Sequence, residues 1–115
     1  MSTHADQDEA SSAPTPTQLP IANVSRLMKQ SLPPTMKLSS DTKLLMQSCT
    51  QEFIALVTSE AQERADAQKR STLNGDDVLY ALGVLGFDEY EKLGRVWLSR
   101  YRLAQGAASQ SKTSK

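Results

Sequence analysis

Apolar residues recur at helical spacing through the middle of the chain, and the pattern predicts an all-α fold of four helices. The first helix is expected to start at Pro20, a residue suited to a first turn, and to end before Pro33. The second is expected to start after a Ser39 cap and to run from Ser40 to Ala67. Because no Gly or Pro interrupts it, this helix would be roughly 40 Å long.

Two shorter apolar patterns predict the remaining helices. Asn74 is expected to cap the third helix, with Asp77 in its first turn and Gly86 at its end. Asp88 and Glu91 have the spacing of a capping box and predict the start of the fourth helix. Its apolar positions follow at i, i+3, i+7 and i+11: Tyr90, Leu93, Trp97 and Tyr101.

The apolar face of the second helix is wider than a single chain of this size requires. A helix on the surface of a monomer needs an apolar stripe of only ~100°. Here apolar side chains cover about half of the circumference, and the flanking helices are too short to cover the excess. The sequence therefore predicts obligate pairing with another chain, with Cys49 as a buried structural thiol on this face. Glu60 and Arg64 lie towards the same side, so one or both are expected to pair with a partner.

The chain has 115 residues and no net charge, and this length predicts a single domain. Residues 1–18 and 105–115 lack large apolar residues apart from Met1, so both segments are expected to be disordered tails around a folded domain at 19–104. No apolar run approaches the ~18 residues of a membrane span. A single cysteine excludes an internal disulfide and suits a reducing compartment, so we expect a soluble intracellular protein.

The residue types needed for catalysis are not assembled. The only histidine, His4, is in the N-terminal tail, and Cys49 has no histidine to activate it. Neither a metal-ligand spacing nor a glycine-rich phosphate loop occurs. We therefore expect neither an enzyme nor a cofactor.

Basic residues near the predicted turns could instead bind a nucleic acid. Asn23, Arg26 and Lys29 share the polar side of the first helix, and Lys37 lies in the turn that follows. A solvated helix face would explain them as well, but a further basic turn at 69–72 makes three cationic sites with few aromatics. That arrangement favours contact with a duplex backbone over stacking on single strands.

Arg70 admits two interpretations. It lies seven residues before Asp77, close enough to fork onto that carboxylate as a structural clamp between turn and helix. The alternative is direct contact with a DNA phosphate, and the clamp is favoured. Lys69 has no such acidic partner nearby and is freer to reach a phosphate.

The order short helix, long helix, short helix, with the Arg-x-Thr and Asp clamp, resembles the histone fold. The segments Leu19-Pro-Ile-Ala-Asn-Val24, Glu52-Phe53-Ile54, Lys69-Arg70 and Leu85-Gly-Phe-Asp88 make the resemblance narrower. They are similar to the beta (B) subunits of nuclear factor Y, the CCAAT-binding transcription factor. The resemblance covers about Leu19–Arg102.

This resemblance implies a nuclear, DNA-binding subunit that regulates transcription without cofactors. Its partners would be a gamma-type (C) histone-fold subunit, an alpha-type (A) subunit that reads CCAAT, and double-stranded DNA. The implied DNA contacts are Leu19, Pro20, Ile21, Ala22, Asn23, Val24, Ser25, Arg26, Lys29, Lys37, Lys69, Arg70 and Thr72. The implied subunit-association residues are Met46, Cys49, Glu52, Phe53, Ile54, Leu56, Val57 and Glu60.

Some positions depart from that family's pattern. Family members usually carry lysine where this chain has Ser40 and Ser71, and a Pro-Leu step where it has Leu93-Gly94. The missing lysines favour a second hypothesis, a histone-fold scaffold of another chromatin, TATA-binding-protein repressor or polymerase accessory complex. Leu19–Val24 favours the CCAAT-binding factor.

Overall fold

The computed structural model describes residues 18–113, and within that range it is all-α, as predicted. Its helices are α1 (Ile21–Lys29), α2 (Ser40–Ala67), α3 (Gly75–Val84) and α4 (Asp88–Thr113). The expected disorder of the N-terminal tail concerns residues that, apart from Gln18, lie outside the described range. In that range no helix combines the length and apolar character needed to cross a membrane.

The long helix α2 has the predicted bounds, and both of its ends have local causes. At its start the Ser39 hydroxyl hydrogen-bonds the Asp41 carboxylate at 2.5 Å, and this bond lowers the pKa of Asp41. At its end Lys69 has a φ of +56°, and the Lys69 and Arg70 amides donate back to Asp66 and Ala65 at 2.9 Å each. These two bonds form a Schellman motif, in which a left-handed residue ends the helix.

The third helix has the predicted cap and end. Asn74 and Asp77 form a reciprocal capping box, each side chain accepting from the other's backbone amide. Gly86, with a φ of +89°, occupies the left-handed position after the helix, where a side chain would be strained. The Phe87 amide donates to the Leu82 carbonyl at 2.8 Å and completes a second Schellman motif.

The fourth helix differs from the prediction at both ends. Asp88 is its first helical residue rather than its cap, because the amide of Glu91 bonds to the carbonyl of Phe87. The Glu91 carboxylate accepts hydrogen bonds from Arg95 instead of closing a capping box. At the other end the helix continues through residues 105–113, which were expected to be disordered. No proline interrupts this segment, and its side chains are exposed up to Gln110.

Gly94 lets α3 and α4 approach closely. A Cβ atom at this position would lie 2.5 Å from Cδ2 of Leu79, whose side chain is buried. Glycine has a low helix propensity and so weakens α4 at this position, but its lack of a side chain makes room for the core residue Leu79 of α3.

The chain divides into two compact units, one ending at Ile54 and the other starting at Ala55, with α2 passing from the first to the second. The described residues bury few large apolar side chains: the buried apolar residues are Val24, Val57, Ala61, Ala65, Leu79 and Ala81. Sixteen large apolar side chains are instead more than one third exposed. A core this small leaves most of the apolar surface of the helices uncovered.

Candidate functional site

The turn after α2 is fastened to α3 through Asp77. This carboxylate is fully buried and accepts hydrogen bonds from Nη1 and Nη2 of Arg70 at 2.9 and 2.5 Å and from the Asn74 amide at 2.9 Å. Arg70 also donates to the Gln68 side chain and the Thr72 carbonyl. Four of the five guanidinium N–H donors are thus occupied, which leaves Arg70 little capacity for a DNA phosphate.

Two further arginines, Arg64 and Arg102, bond to the start of α3 beside this turn, and the sequence did not reveal their roles. Arg64 donates to the Asp76 carbonyl at 2.8 Å, lies 3.7 Å from the Asp77 carboxylate and stacks 5.0 Å from the ring centre of Tyr80. Arg64 thus has partners in its own chain, and the expectation that Glu60, Arg64 or both pair with another chain stays a prediction. Arg102 of α4 donates to the Asp76 carboxylate at 2.8 Å and holds the pKa of Asp76 below its ordinary value.

The clamp makes stability depend on pH. The bonds from Arg70, and then from the Asn74 amide, lower the pKa of Asp77 from 3.8 to about 2. Because the folded state holds this proton less tightly than the unfolded state, the clamp's contribution is complete above about pH 5 and is lost as pH falls towards 2. We expect the melting-temperature difference between the wild type and Asp77→Asn to narrow over that interval. Thermal melts at half-unit steps of pH measure it, and a constant difference would contradict the assignment.

Lys69 lies on the outer side of this turn. Its side chain is exposed and forms no ion pair with the described residues, although the left-handed backbone at this position favours glycine. Ser71 and Thr72 are also exposed. The ammonium group of Lys69 is therefore accessible to an external anion.

The first unit carries a second cationic surface, formed by α1, the following turn and the start of α2. Lys29, Lys37 and Lys43 line a cavity of 390 Å³, and none of them is ion-paired within the part of the chain that is described. Arg26 is exposed, and its guanidinium is oriented by a 3.0 Å bond to Asn23. Sequence reasoning missed Lys43, although its place in the first turn of α2, six residues after Lys37, was the available signal.

Residues at the entry to α1 are tied to α2. The Leu19 amide donates to Gln51 Oε1 at 2.7 Å, and the Leu19 carbonyl accepts from Gln47 Nε2 at 2.6 Å. Val24 and Ser25 are buried, so their side chains face the protein rather than a ligand, whereas Pro20, Ala22 and Asn23 are exposed. Within the segment expected to contact DNA, the accessible parts are therefore the start of α1 and the polar side of this helix.

Most of the subunit-association residues expected on α2 are uncovered. Four exposed apolar side chains share one side of the helix, and we call them the open face of α2: Leu45, Met46, Cys49 and Leu56. Ile54 is also exposed but lies about 160° from Leu56 around the helix axis. Cys49 is exposed in the chain by itself, because no helix among the described residues covers this side of α2, and its burial under a partner stays a prediction. Val57 is buried, Phe53 and Glu60 are partly buried, and Glu52 is exposed.

No group of His, Cys, Asp and Glu residues in the described range could hold a metal ion. The described surfaces offer an apolar face of a helix and two sets of cations, which are groups suited to binding.

Comparison with known proteins adds an independent observation. Residues 17–82 match the family model described as histone-like transcription factor (CBF/NF-Y) and archaeal histone. The chain is 48% identical to the B-1 subunit of nuclear transcription factor Y from Arabidopsis thaliana over 88 residues, 76% of this chain and 62% of the relative. It is 49% identical to the transcriptional activator HAP3 of Saccharomyces cerevisiae over 92 residues, 80% of this chain and 64% of that protein. The matches thus span less than two thirds of the length of these relatives.

Proposed function

Because the chain belongs to the family of histone-like transcription factors (CBF/NF-Y) and archaeal histones, we propose that it is the DNA-binding B-type subunit of a heterotrimeric CCAAT-box transcription factor. Family membership confirms the predicted resemblance and the histone fold, with α4 added after its three helices. The family comprises transcription factors and histones, which confirms that the chain is not an enzyme.

The open face of α2 is the observation that carries the proposal. Its Leu45 is 65% exposed and its Leu56 is 48% exposed. An exposed apolar patch of this kind marks an interaction surface rather than a stable monomer surface. A C-type histone-fold subunit, which would cross α2 with its own long helix, is the partner that fits it. An A-type subunit would then join the pair.

The two cationic surfaces supply the contact with DNA. Lysines that are exposed and unpaired can replace condensed counterions on a duplex backbone without first breaking an internal ion pair. The surface around Lys29 and the turn at Lys69 meet that requirement. Such phosphate contacts position the protein but carry no sequence information, so reading of CCAAT is assigned to the A-type subunit. A complex of this kind acts in the nucleus.

Reconstitution tests the proposal. The chain is co-expressed with C-type and A-type subunits, and binding to a CCAAT duplex and to a scrambled duplex is compared at one stated salt concentration. We expect a 1:1:1 complex that prefers CCAAT by a factor of at least about 10³. A stable pair with the C-type subunit that shows no CCAAT preference would instead indicate a scaffold subunit of another complex.

Two substitutions at Lys69 separate the effect of its charge on DNA binding from the effect of its left-handed backbone on stability. Lys69→Ala should weaken binding of the heterotrimer similarly on all duplexes and reduce the salt slope by about one. Lys69→Gly should weaken binding to the same extent but raise the melting temperature, because it removes a left-handed conformation that costs roughly 1 kcal/mol in a side-chain-bearing residue. Salt-dependent binding isotherms and thermal melts measure both effects. A loss confined to CCAAT duplexes would contradict a phosphate contact.

A further inference from the structure

The main chain of Leu19 is held on both sides by side-chain amides of α2. Its N–H donates to Gln51 Oε1 at 2.7 Å, and its carbonyl accepts from Gln47 Nε2 at 2.6 Å. A residue has one backbone donor and one backbone acceptor, so this pair of glutamines uses both. The entry to α1 is thereby attached to the long helix at a single residue.

The arrangement explains two polar residues on the inner side of α2. Gln47 and Gln51 are four residues apart, so their side chains lie one above the other on one face of the helix. Gln47 is only 6% exposed, and burying an amide is unfavourable unless it is hydrogen-bonded. Its bond to Leu19 satisfies that requirement and makes the position intolerant of a group that cannot donate.

Besides the bonds to Leu19, the buried side chains of Val24 and Ser25 hold the helix that follows near its start. α1 has nine residues, a length at which an isolated helix is marginal, and no side chain of the described residues caps its N-terminus. The amides of Asn23 and Val24 donate to the Pro20 carbonyl at 3.1 and 3.2 Å, whereas those of Ile21 and Ala22 have no intrahelical acceptor. The position of this first turn, and of Arg26 and Lys29 beyond it, consequently depends in part on where Leu19 is held.

We propose that Gln47 and Gln51 are positioning residues for DNA binding, which set the first turn of α1 against the phosphate backbone. The proposal rests on the proposed function, and it assigns these glutamines a role through Leu19 rather than a contact with DNA. Their hydrogen-bonding directions differ: Gln51 accepts and Gln47 donates.

That difference provides a matched pair of variants. Gln47→Glu and Gln51→Glu each add one negative charge to the same helix face, so their general electrostatic effects on DNA binding are similar. Gln51→Glu keeps an acceptor for the Leu19 amide, whereas Gln47→Glu removes the donor and turns a carboxylate oxygen towards the Leu19 carbonyl. In the heterotrimer we expect Gln47→Glu to lose about tenfold more affinity for the CCAAT duplex than Gln51→Glu. Equal losses would overturn the positioning role.

A neutral variant tests the same point without DNA. In the pair with a C-type subunit, Gln51→Met should speed hydrogen exchange at the Leu19 amide at least tenfold while the pair still forms. In the heterotrimer it should also lower the salt slope of DNA binding, by about one, because the start of α1 is no longer fixed. Unchanged exchange at Leu19, or an unchanged salt slope, would overturn the proposal.

The experiments distinguish a failure of the proposed function from a failure of the positioning role of Gln47 and Gln51. A wild-type trimer that does not distinguish CCAAT from scrambled DNA overturns that function, and the positioning role with it. A wild type that binds CCAAT while the two glutamate variants lose affinity equally overturns only the role of the glutamines.

Discussion

Replacing Asp77 with Ala should lower the melting temperature of the heterodimer formed with a C-type partner by about 10 °C or more. The carboxylate is fully buried and is the acceptor for two N–H groups of Arg70 and for the Asn74 amide. Alanine would leave a guanidinium group and the start of α3 without their acceptor, and this is more costly than losing a surface ion pair. Differential scanning calorimetry of the purified heterodimer measures the effect.

Asp76→Ala is the matched control for this prediction. Asp76 is the neighbouring residue and also pairs with an arginine, Arg102, but its side chain is 47% exposed. Exposed ion pairs contribute little, so the melting temperature should change by only a few degrees. If the two variants melted alike, the clamp would have no special role in joining the turn to α3.

Replacing Leu56 with Asp should weaken association with a C-type partner at least about 100-fold. Leu56 belongs to the open face of α2 and is about half exposed in the chain by itself. The substitution therefore removes little from the chain's own core, but in the heterodimer it would bury an unpaired carboxylate. Isothermal titration or analytical ultracentrifugation of the two purified proteins gives the dissociation constant.

Gln62→Asp is the control on the same helix. Gln62 is exposed and lies six residues further along α2, about 120° away around the helix axis. The added charge would be the same but would remain in solvent, so association should change less than threefold. A loss as large as that of Leu56→Asp would mean that the interface is not the open face.

Much of the site could be predicted because its signals are local. The capping pair Asn74 and Asp77 follows a spacing that places one side chain over the other's amide. The pairing of Arg70 with Asp77 was one of two interpretations of this arginine, and the structure contains the hydrogen bonds of the clamp. Its contribution to stability is what the Asp77→Ala prediction tests.

Other features left no local signal. Arg64 lies towards the apolar side of α2, and only the packing of α3 brings the Asp76 carbonyl and the Tyr80 ring to it. The bonds from Gln47 and Gln51 to Leu19 span about thirty residues of sequence. The helical continuation of α4 past residue 104 was missed because low hydrophobicity was taken as disorder, although no proline interrupts the segment.

The sequence by itself determined which four segments are helical, where α2 and α3 start and end, and that one side of the long helix is too apolar for one chain. Periodicity, caps and helix-ending residues act over a few positions, so they can be read without knowing what packs against them. Only the tertiary structure decided which polar groups meet across the turns, which lysines stay unpaired, and that Cys49 is exposed. Those outcomes depend on the placement of whole helices, because burial and hydrogen bonding at one residue are set by neighbours that are distant in the chain.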